Sequence, residues 1–434
     1  MTRPARVDAE VIIVGGGPAG SALAFRLARA GCDVLLVDRA QFPRDKPCSE
    51  YLSPQAGRLL EEMGVLPRLE QEACARLVGM RITAPDSRSF TGSFAAVPDF
   101  VPYRPWGLAT RRTILDHVLL ARARDAGVRV RERTLVRDLE WEGMGRVTGV
   151  HVSNGTQQQL LRAPLVIGAD GLRSVVARRA GLGSFGRWPR RIAFVAHYSG
   201  ASLDGDVGDM HVFPEGYIGL APVGGGLTNV ALVVPAARAA ASRGDATGFM
   251  EGELARRPEI WRRLRAAERV GPARVVGPFN WRARTAWCPG LALVGDAADF
   301  FDPFTGEGIY AALRGAELLT GYAFEAIRAG STRQAGIALE AYDRCRRTEF
   351  AGKWTVERLV GAAVSWPAAM NLATRGLAAR PELGHRLVGV AGDFVPAREV
   401  LRLRYILALA RAALGWPGGD DDLRAQATPA RSGR

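Results

Sequence analysis

The sequence predicts an α/β fold in which a parallel-sheet domain is assembled from separated segments, interrupted by a second sheet domain and closed by helices. Three observations carry that expectation. A short apolar run, Val11–Val14, ends in glycines and leads into Pro18–Ala30, where Ala22, Leu23, Phe25, Leu27 and Ala28 recur at helical spacing. Gly31 closes that helix and Val34–Val37 follows as a second buried strand, so the chain opens with a strand–helix–strand unit of the Rossmann type. Two further runs of the same buried character, Leu165–Ile167 and Leu291–Val294, lie far down the chain, and each leads straight into a glycine with an aspartate close behind.

The remaining elements follow in order. Gln41–Pro54 reads as an irregular segment with three prolines and several charges, and Gln55–Met63 as a helix. Gly79–Pro105, rich in Ser, Thr, Pro and Phe, is expected to form a meander of short strands. Thr113–Ala126 predicts a helix and Val128–Leu139 a strand with alternating Arg and Val; Arg146–Val152 and Leu160–Ile167 predict two more. Ile192–Pro235 is strand-rich and includes the alternating stretch Asn229–Val234, while the chain from Gly308 to about Leu414 is mainly helical in pattern. Gly418–Arg434 is polar and poor in apolar residues, and reads as a disordered tail. The expected division is a discontinuous nucleotide-binding domain (8–78, 106–185 and 285–325), a substrate-binding sheet domain (79–105 and 186–284) and a C-terminal helical region (326–417).

Composition bounds the function. Apolar residues make up 47% of the 434 and charged residues 24%, the balance of an ordinary globular chain. The formal charge is +14, yet there are only two lysines, Lys46 and Lys353, so the positive charge is almost all arginine. Such a surplus either attracts anions or is spread over a solvated surface. A basic stripe with a base-reading motif is missing, which argues against a nucleic-acid partner. Five cysteines without metal-ligand spacing fit free thiols better than a disulfide framework, and no metal site is expected. Met1–Glu10 is polar, and no stretch approaches the ~20 apolar residues needed to span a bilayer, so a cytoplasmic chain is expected.

The chemistry is concentrated in three motifs. Gly15, Gly17 and Gly20 form G-x-G-x-x-G between the first strand and the first helix. Gly15 permits a tight turn, Gly17 lets the backbone approach a pyrophosphate, and Gly20 lets the helix pack on the strand. The helix start at Pro18 and Ala19 presents free amides to phosphate charge, and Asp38, at the end of the second strand beside Arg39, stands where a carboxylate binds ribose hydroxyls. The second motif, Gly168-Ala169-Asp170-Gly171-Leu172-Arg173-Ser174, also suits a turn with a helix cap. The third is Gly295-Asp296-Ala297-Ala298, running on into Asp302-Pro303-Phe304-Thr305-Gly306-Glu307-Gly308 and Ile309. Glycines ahead of a helix bring backbone amides against a planar ring and place a positive helix end there.

In this order and spacing, from about residue 10 to 325, the three motifs resemble the FAD-binding family of aromatic-hydroxylase-type (group A) monooxygenases, whose fold is shared by geranylgeranyl-type prenyl reductases and flavin-dependent halogenases. The resemblance implies that Gly15, Gly17, Pro18, Ala19, Gly20, Asp38 and Arg39 hold the ADP half of FAD. It implies that Arg112, in Arg112-x-x-Leu115-Asp116, lies near the cofactor, and that Asp170 and Gly171 serve both FAD and NAD(P)H. Gly295 and Asp296 would meet the ribityl or pyrophosphate region, and Pro303, Gly306, Gly308 and Ile309 would lie along the isoalloxazine.

Two segments are similar to the prenyl-reductase branch: the cofactor-side loop Phe42–Cys48 through Leu52-Ser53-Pro54, which includes Arg44 and Cys48, and Asp302–Ile309. The chain departs from that branch at Ser49, Glu50 and Tyr51, where glycines are usual, and at Gly219 and Ala221, where aromatics line a prenyl channel. The halogenase Trp-x-Trp is absent, and neither lysine falls in the halogenase context. The expectation is therefore an NAD(P)H- and O2-dependent hydroxylase acting through a flavin C4a-hydroperoxide on a phenolic or polyketide-like, lipid-tailed or untailed small molecule. The alternative is an FAD-dependent reductase of isoprenoid double bonds, and a halogenase ranks behind both. No catalytic base is identified; His197, His211, Tyr198 and Tyr217, in the expected substrate sheet, read as structural. The segment Val400–Leu414, with Arg402, Arg404 and Arg411, suits either core packing or peripheral contact with a membrane.

Overall fold

A computed structural model describes residues 7–143 and 145–416, so the expected tail lies outside the described residues. Val11–Val14 is flanked in parallel by Val34–Val37 and Leu165–Gly168, with Ile12 opposite Leu35 and Val166. Arg129–Arg131 extends one edge and Leu291–Leu293 the other, where the short Trp287–Cys288 pairs antiparallel. Every residue of the three central strands is buried, which requires cover on both faces. Helix Pro18–Arg29 packs between Gly308–Arg328 and Arg112–Asp125 in one layer. A three-stranded antiparallel meander, Leu135–Glu142, Arg146–Asn154 and Gln157–Arg162, brings Val147, Val150 and Leu161 into the same core and covers the other face.

Two strands expected as continuous are each divided between sheets. Val128–Leu139 breaks at Arg133, whose φ of 51° turns the chain from the parallel sheet into the meander. Leu160–Ile167 breaks at Ala163-Pro164, between Gln157–Arg162 in the meander and Leu165–Gly168 in the parallel sheet. Proline cannot donate to a ladder, so Pro164 marked that break in the sequence; Arg133 carried no comparable mark.

The second domain is a seven-stranded sheet in the order Glu268–Val276, Arg191–Ser199, Leu227–Pro235, Gly216–Gly224, Val207–Phe213, Gly79–Thr83, Ser89–Ser93. All pairings are antiparallel except Gly79–Thr83 with Val207–Phe213, where the segment expected as a meander docks as one hairpin and continues irregularly to Pro105. Along Leu227–Pro235 the alternation is real but both faces are buried. Val230, Leu232 and Val234 meet Met250, Leu254 and Ile260 from helices Ala246–Ala255 and Pro258–Leu264, two helices that the strand-dominated reading of this region did not foresee. Ala231 and Val233 face the interior between the two domains. Helix Thr332–Ser365 closes that interior, followed by Pro367–Ala379, Pro381–Ala391, Arg398–Leu401 and Leu403–Leu414. Among the described residues, no helix is long and apolar enough to cross a membrane.

Candidate functional site

The interior between the parallel sheet, the seven-stranded sheet and the long helix is a cavity of about 670 Å³. Of the cofactor residues expected from sequence, all except Gly20 line it: Gly15, Gly17, Pro18, Ala19, Asp38, Arg39, Arg44, Cys48, Arg112, Asp170, Gly171, Gly295, Asp296, Pro303, Gly306, Gly308 and Ile309. Segments some 280 residues apart in the chain therefore converge because each follows a neighbouring strand of one sheet.

The three glycines of the first motif do three different things. At Gly15, with φ of 106°, a Cβ would lie 2.5 Å from the Ala169 carbonyl oxygen; at Gly20 it would lie 1.8 Å from the Gly15 oxygen. Both glycines are required by protein packing, and Gly20 acts there rather than in the cavity. Gly17 differs: the nearest groups to a Cβ placed there would be the guanidinium nitrogens of Arg44 at 3.5 Å and Arg112 at 3.9 Å. The space above it is open toward the cavity, at the uncapped start of a 12-residue helix with no acidic residue in its first turn. Asp38 steadies the loop, accepting from the Gly16 amide and the Ala40 amide at 2.7 Å each.

Cationic groups surround that opening. Arg112 forks onto Asp116 with two bonds of 2.8 Å, and Arg44 reaches the same carboxylate at 3.1 Å. Two guanidiniums on one carboxylate leave a net positive charge beside a helix N-terminus, which suits a pyrophosphate. Lys46 lies 3.7 Å from Asp296. The surface it exposes belongs to the cavity wall; burial lowers its pKa, Arg112 and Arg44 lower it further, and Asp296 opposes them. Open backbone at Gly17, two arginines and a carboxylate at the end of the second strand together fit FAD. When bound, that group supplies a two-electron redox centre, and the chain supplies its position and its surroundings.

The second motif is a cap as well as a wall. Asp170 accepts from the Ser174 hydroxyl at 2.5 Å and the Val175 amide at 2.7 Å, while Ser174 caps helix Val175–Arg179. Burial raises the pKa of Asp170, and those bonds hold it down. In the third motif Asp302 is the anchor. It accepts from the Tyr217 hydroxyl at 2.7 Å and pairs with Arg191 at 2.7 Å; Arg191 in turn donates to the Gly361 carbonyl on the long helix at 2.9 Å. Tyr217, expected as structural, lines the cavity and is held there by this bond.

Two side-chain groups escaped the sequence reading. Glu50, 1% exposed and with φ of 62°, accepts from the Arg112 amide at 2.9 Å, from His197 Nε2 at 2.7 Å and from Asn229 Nδ2 at 3.0 Å. It occupies the backbone conformation that explains the usual glycine there, and fills it with a carboxylate that ties the cofactor loop to the substrate sheet. The second group is Glu307, Lys353 and Glu357, all lining the cavity. Lys353 Nζ stands 4.0 Å from Glu307, contacts Asp393 and sits over the Tyr310 ring. Burial raises the Glu307 pKa against the pull of Lys353. Burial, reinforced by Glu307, pushes the Glu357 carboxyl well above the ordinary carboxylate range. The scarcity of lysine was the one sequence signal that singled out Lys353.

Four outcomes are expected. Gly20→Ala costs about 1–3 kcal/mol, read as a lower Tm of apo and holo protein alike. Gly17→Ala leaves apo stability within about 0.5 kcal/mol and shows up instead as lost FAD in equilibrium dialysis. Glu50→Gln sets an amide N–H against one of three donors and costs about 1–3 kcal/mol, measured by urea unfolding. For Glu357, the native protein holds a proton to higher pH than the unfolded chain. Its contribution to stability is therefore complete below the unfolded value near ~4.3 and is lost as pH rises through the native one. Glu357→Gln is expected to flatten the fall in Tm between about pH 5 and pH 8; a parallel fall in both proteins refutes the buried proton.

A family model described as an FAD binding domain matches residues 8–348. The chain is 32% identical over 337 residues to the digeranylgeranylglycerophospholipid reductase 2 of Methanopyrus kandleri, covering 75% of this chain and 79% of the relative. It is 31% identical over 314 residues to the menaquinone reductase of Mycolicibacterium smegmatis, covering 69% and 73%. Among solved structures it superposes on the myxobacterial chondrochloren halogenase CndH with a TM-score of 0.75 at 24% identity, covering 96% of this chain and 99% of that one; at that identity the likeness is one of fold. The chain belongs to the FAD-binding family of the monooxygenase-like superfamily and is an FAD-dependent oxidoreductase.

Proposed function

We propose that this enzyme reduces carbon–carbon double bonds in an isoprenoid-type chain, with FAD reduced in turn by NAD(P)H. The observation that carries the reading is the apolar end of the cavity. Beyond the cationic cradle the walls are Ala193, Val195, Met210, Val233, Phe279 and Phe300. A hydrocarbon segment loses water favourably on entering such a space, at roughly 25 cal/mol per Å² buried. Reduction of an alkene asks the protein for little beyond that: a dry slot that fixes the double bond over the flavin, and a proton donor within the same enclosure. The reductases among the relatives support the reading. In this assignment Gly15, Gly17, Asp38, Arg44, Arg112 and Asp296 hold the ADP and ribityl portions, and Pro303–Gly308 borders the ring.

Hydroxylation of a phenolic or polyketide-like ring is the second reading, and one feature favours it. Gly219 and Ala221 stand where prenyl reductases carry aromatics, and both line the cavity. The Met210 methyl lies 3.6 Å from where a Gly219 Cβ would be, so a flexible thioether borders the space that a fixed ring would fill.

Product mass separates the two. The FAD-loaded enzyme, reduced by NADPH under argon, is expected to add two hydrogens to each double bond acted on in a geranylgeranyl-bearing lipid or menaquinone. No anaerobic product, together with a gain of one oxygen on a phenolic substrate in air, overturns the reductase assignment.

A further inference from the structure

Helix Leu403–Leu414 has two apolar faces. Tyr405, Ala408 and Ala412 are buried, whereas Leu403, Ile406, Leu407, Ala410 and Leu414 are exposed, Leu403 at 69% and Leu414 at 54%. At about 100° per residue those five positions fall on one stripe opposite the buried face. Core packing accounts for the inner face and leaves the outer one unexplained. The neighbouring helix Pro367–Ala379 repeats the arrangement, with Ala368, Leu372, Arg375 and Ala379 exposed and Met370 and Leu377 buried. The two helices touch where Gly376 meets the Leu409 carbonyl and Ala413. Their inner faces enter the same core through Met370, Leu377, Tyr405 and Ala408, so their outer stripes face the same way. Trp366 and Trp416, 68% and 63% exposed, stand at one end of each helix.

We propose that these paired helices form a docking face for an anionic lipid bilayer. The charge around the stripes selects that partner. Neither helix carries an aspartate or glutamate, and Arg375, Arg404 and Arg411 accompany the apolar positions. Just ahead of Leu403–Leu414, Glu399 is shared by Arg386, Arg402 and Arg404, so positive charge remains in excess there too. A second copy of the chain would set arginine against arginine, whereas a bilayer with anionic headgroups takes the arginines at its surface and the leucines and tryptophans at the acyl boundary. This inference stands apart from the reaction proposed above, because it concerns the outer faces of helices whose inner faces make the core.

The test is sedimentation of the FAD-loaded protein with vesicles of phosphatidylcholine alone or with a quarter phosphatidylglycerol. Binding is expected to the anionic vesicles and to fall more than tenfold in the double variant Ile406→Asn, Leu407→Asn, with Tm and bound flavin unchanged. Arg375→Gln is expected to weaken binding about fivefold. Equal binding by wild type and the double variant, or no preference for anionic lipid, overturns the proposal. So does a wild-type dimer that the double variant splits while neither form sediments with vesicles; the face is then an interface between copies.

Discussion

The buried carboxylate of Glu50 holds the two halves of this enzyme in register. Its backbone sits in a left-handed conformation that L-residues rarely adopt, its oxygens are withdrawn from water, and both are satisfied only by groups from distant segments. One oxygen meets the amide of Arg112, the residue whose guanidinium borders the open space over Gly17. The other meets His197 and Asn229 on neighbouring strands of the substrate sheet. Asn229 also donates to the carbonyl of Cys48 at 2.9 Å, so the same strand is fastened to the cofactor loop twice. A buried charge without partners is costly enough that breaking such a node destabilises by about 3–5 kcal/mol. Satisfying this one group fastens the cofactor loop to the substrate sheet at the cavity.

Asp302 does the corresponding work at the other end. Tyr217 comes from the substrate sheet, Arg191 from the strand beside the last edge strand, and Gly361 from the long helix; one carboxylate brings all three onto the third motif. The cavity is thus bounded by two buried polar nodes with apolar wall between them. Polar groups placed this way specify geometry where hydrophobic packing alone tolerates sliding.

What was legible in the sequence was what local chemistry dictates. Gly15, Gly17, Gly20, Asp38 and Asp296 were readable because each must follow a buried strand directly, and strand, turn and helix have short-range signatures. Asp170 and Ser174 were readable as a cap for the same reason. Glu50, Arg191 and Lys353 were not, because their partners lie from 40 to 179 residues away and no periodicity announces a contact across such distances. Glu50 was visible only as a departure from glycine, and the departure turned out to be a structural device. The helices at Ala246–Ala255 and Pro258–Leu264 went unseen beside long strands, and their stripe, Met250, Leu254, Ile260 and Leu264, is what makes Leu227–Pro235 buried on both faces.

The cavity wall combines cationic, carboxylate and apolar groups, and that combination constrains the chemistry. Arg44, Arg112 and Lys46 gather at the glycine loop, where phosphate charge would be neutralised, while Val195, Val233 and Phe279 give another part of the wall an apolar surface. Glu307, Lys353 and Glu357 also line the cavity, from the third motif and the long helix. Burial raises the Glu307 carboxyl against the pull of Lys353, and Glu357 is made reluctant to ionise by burial and by Glu307, so these carboxyls are disposed to hold a proton at the cavity wall. The reduction proposed above would draw on these features together: cationic groups to fix the cofactor, apolar wall to fix the substrate, and a carboxyl whose burial favours its protonated form.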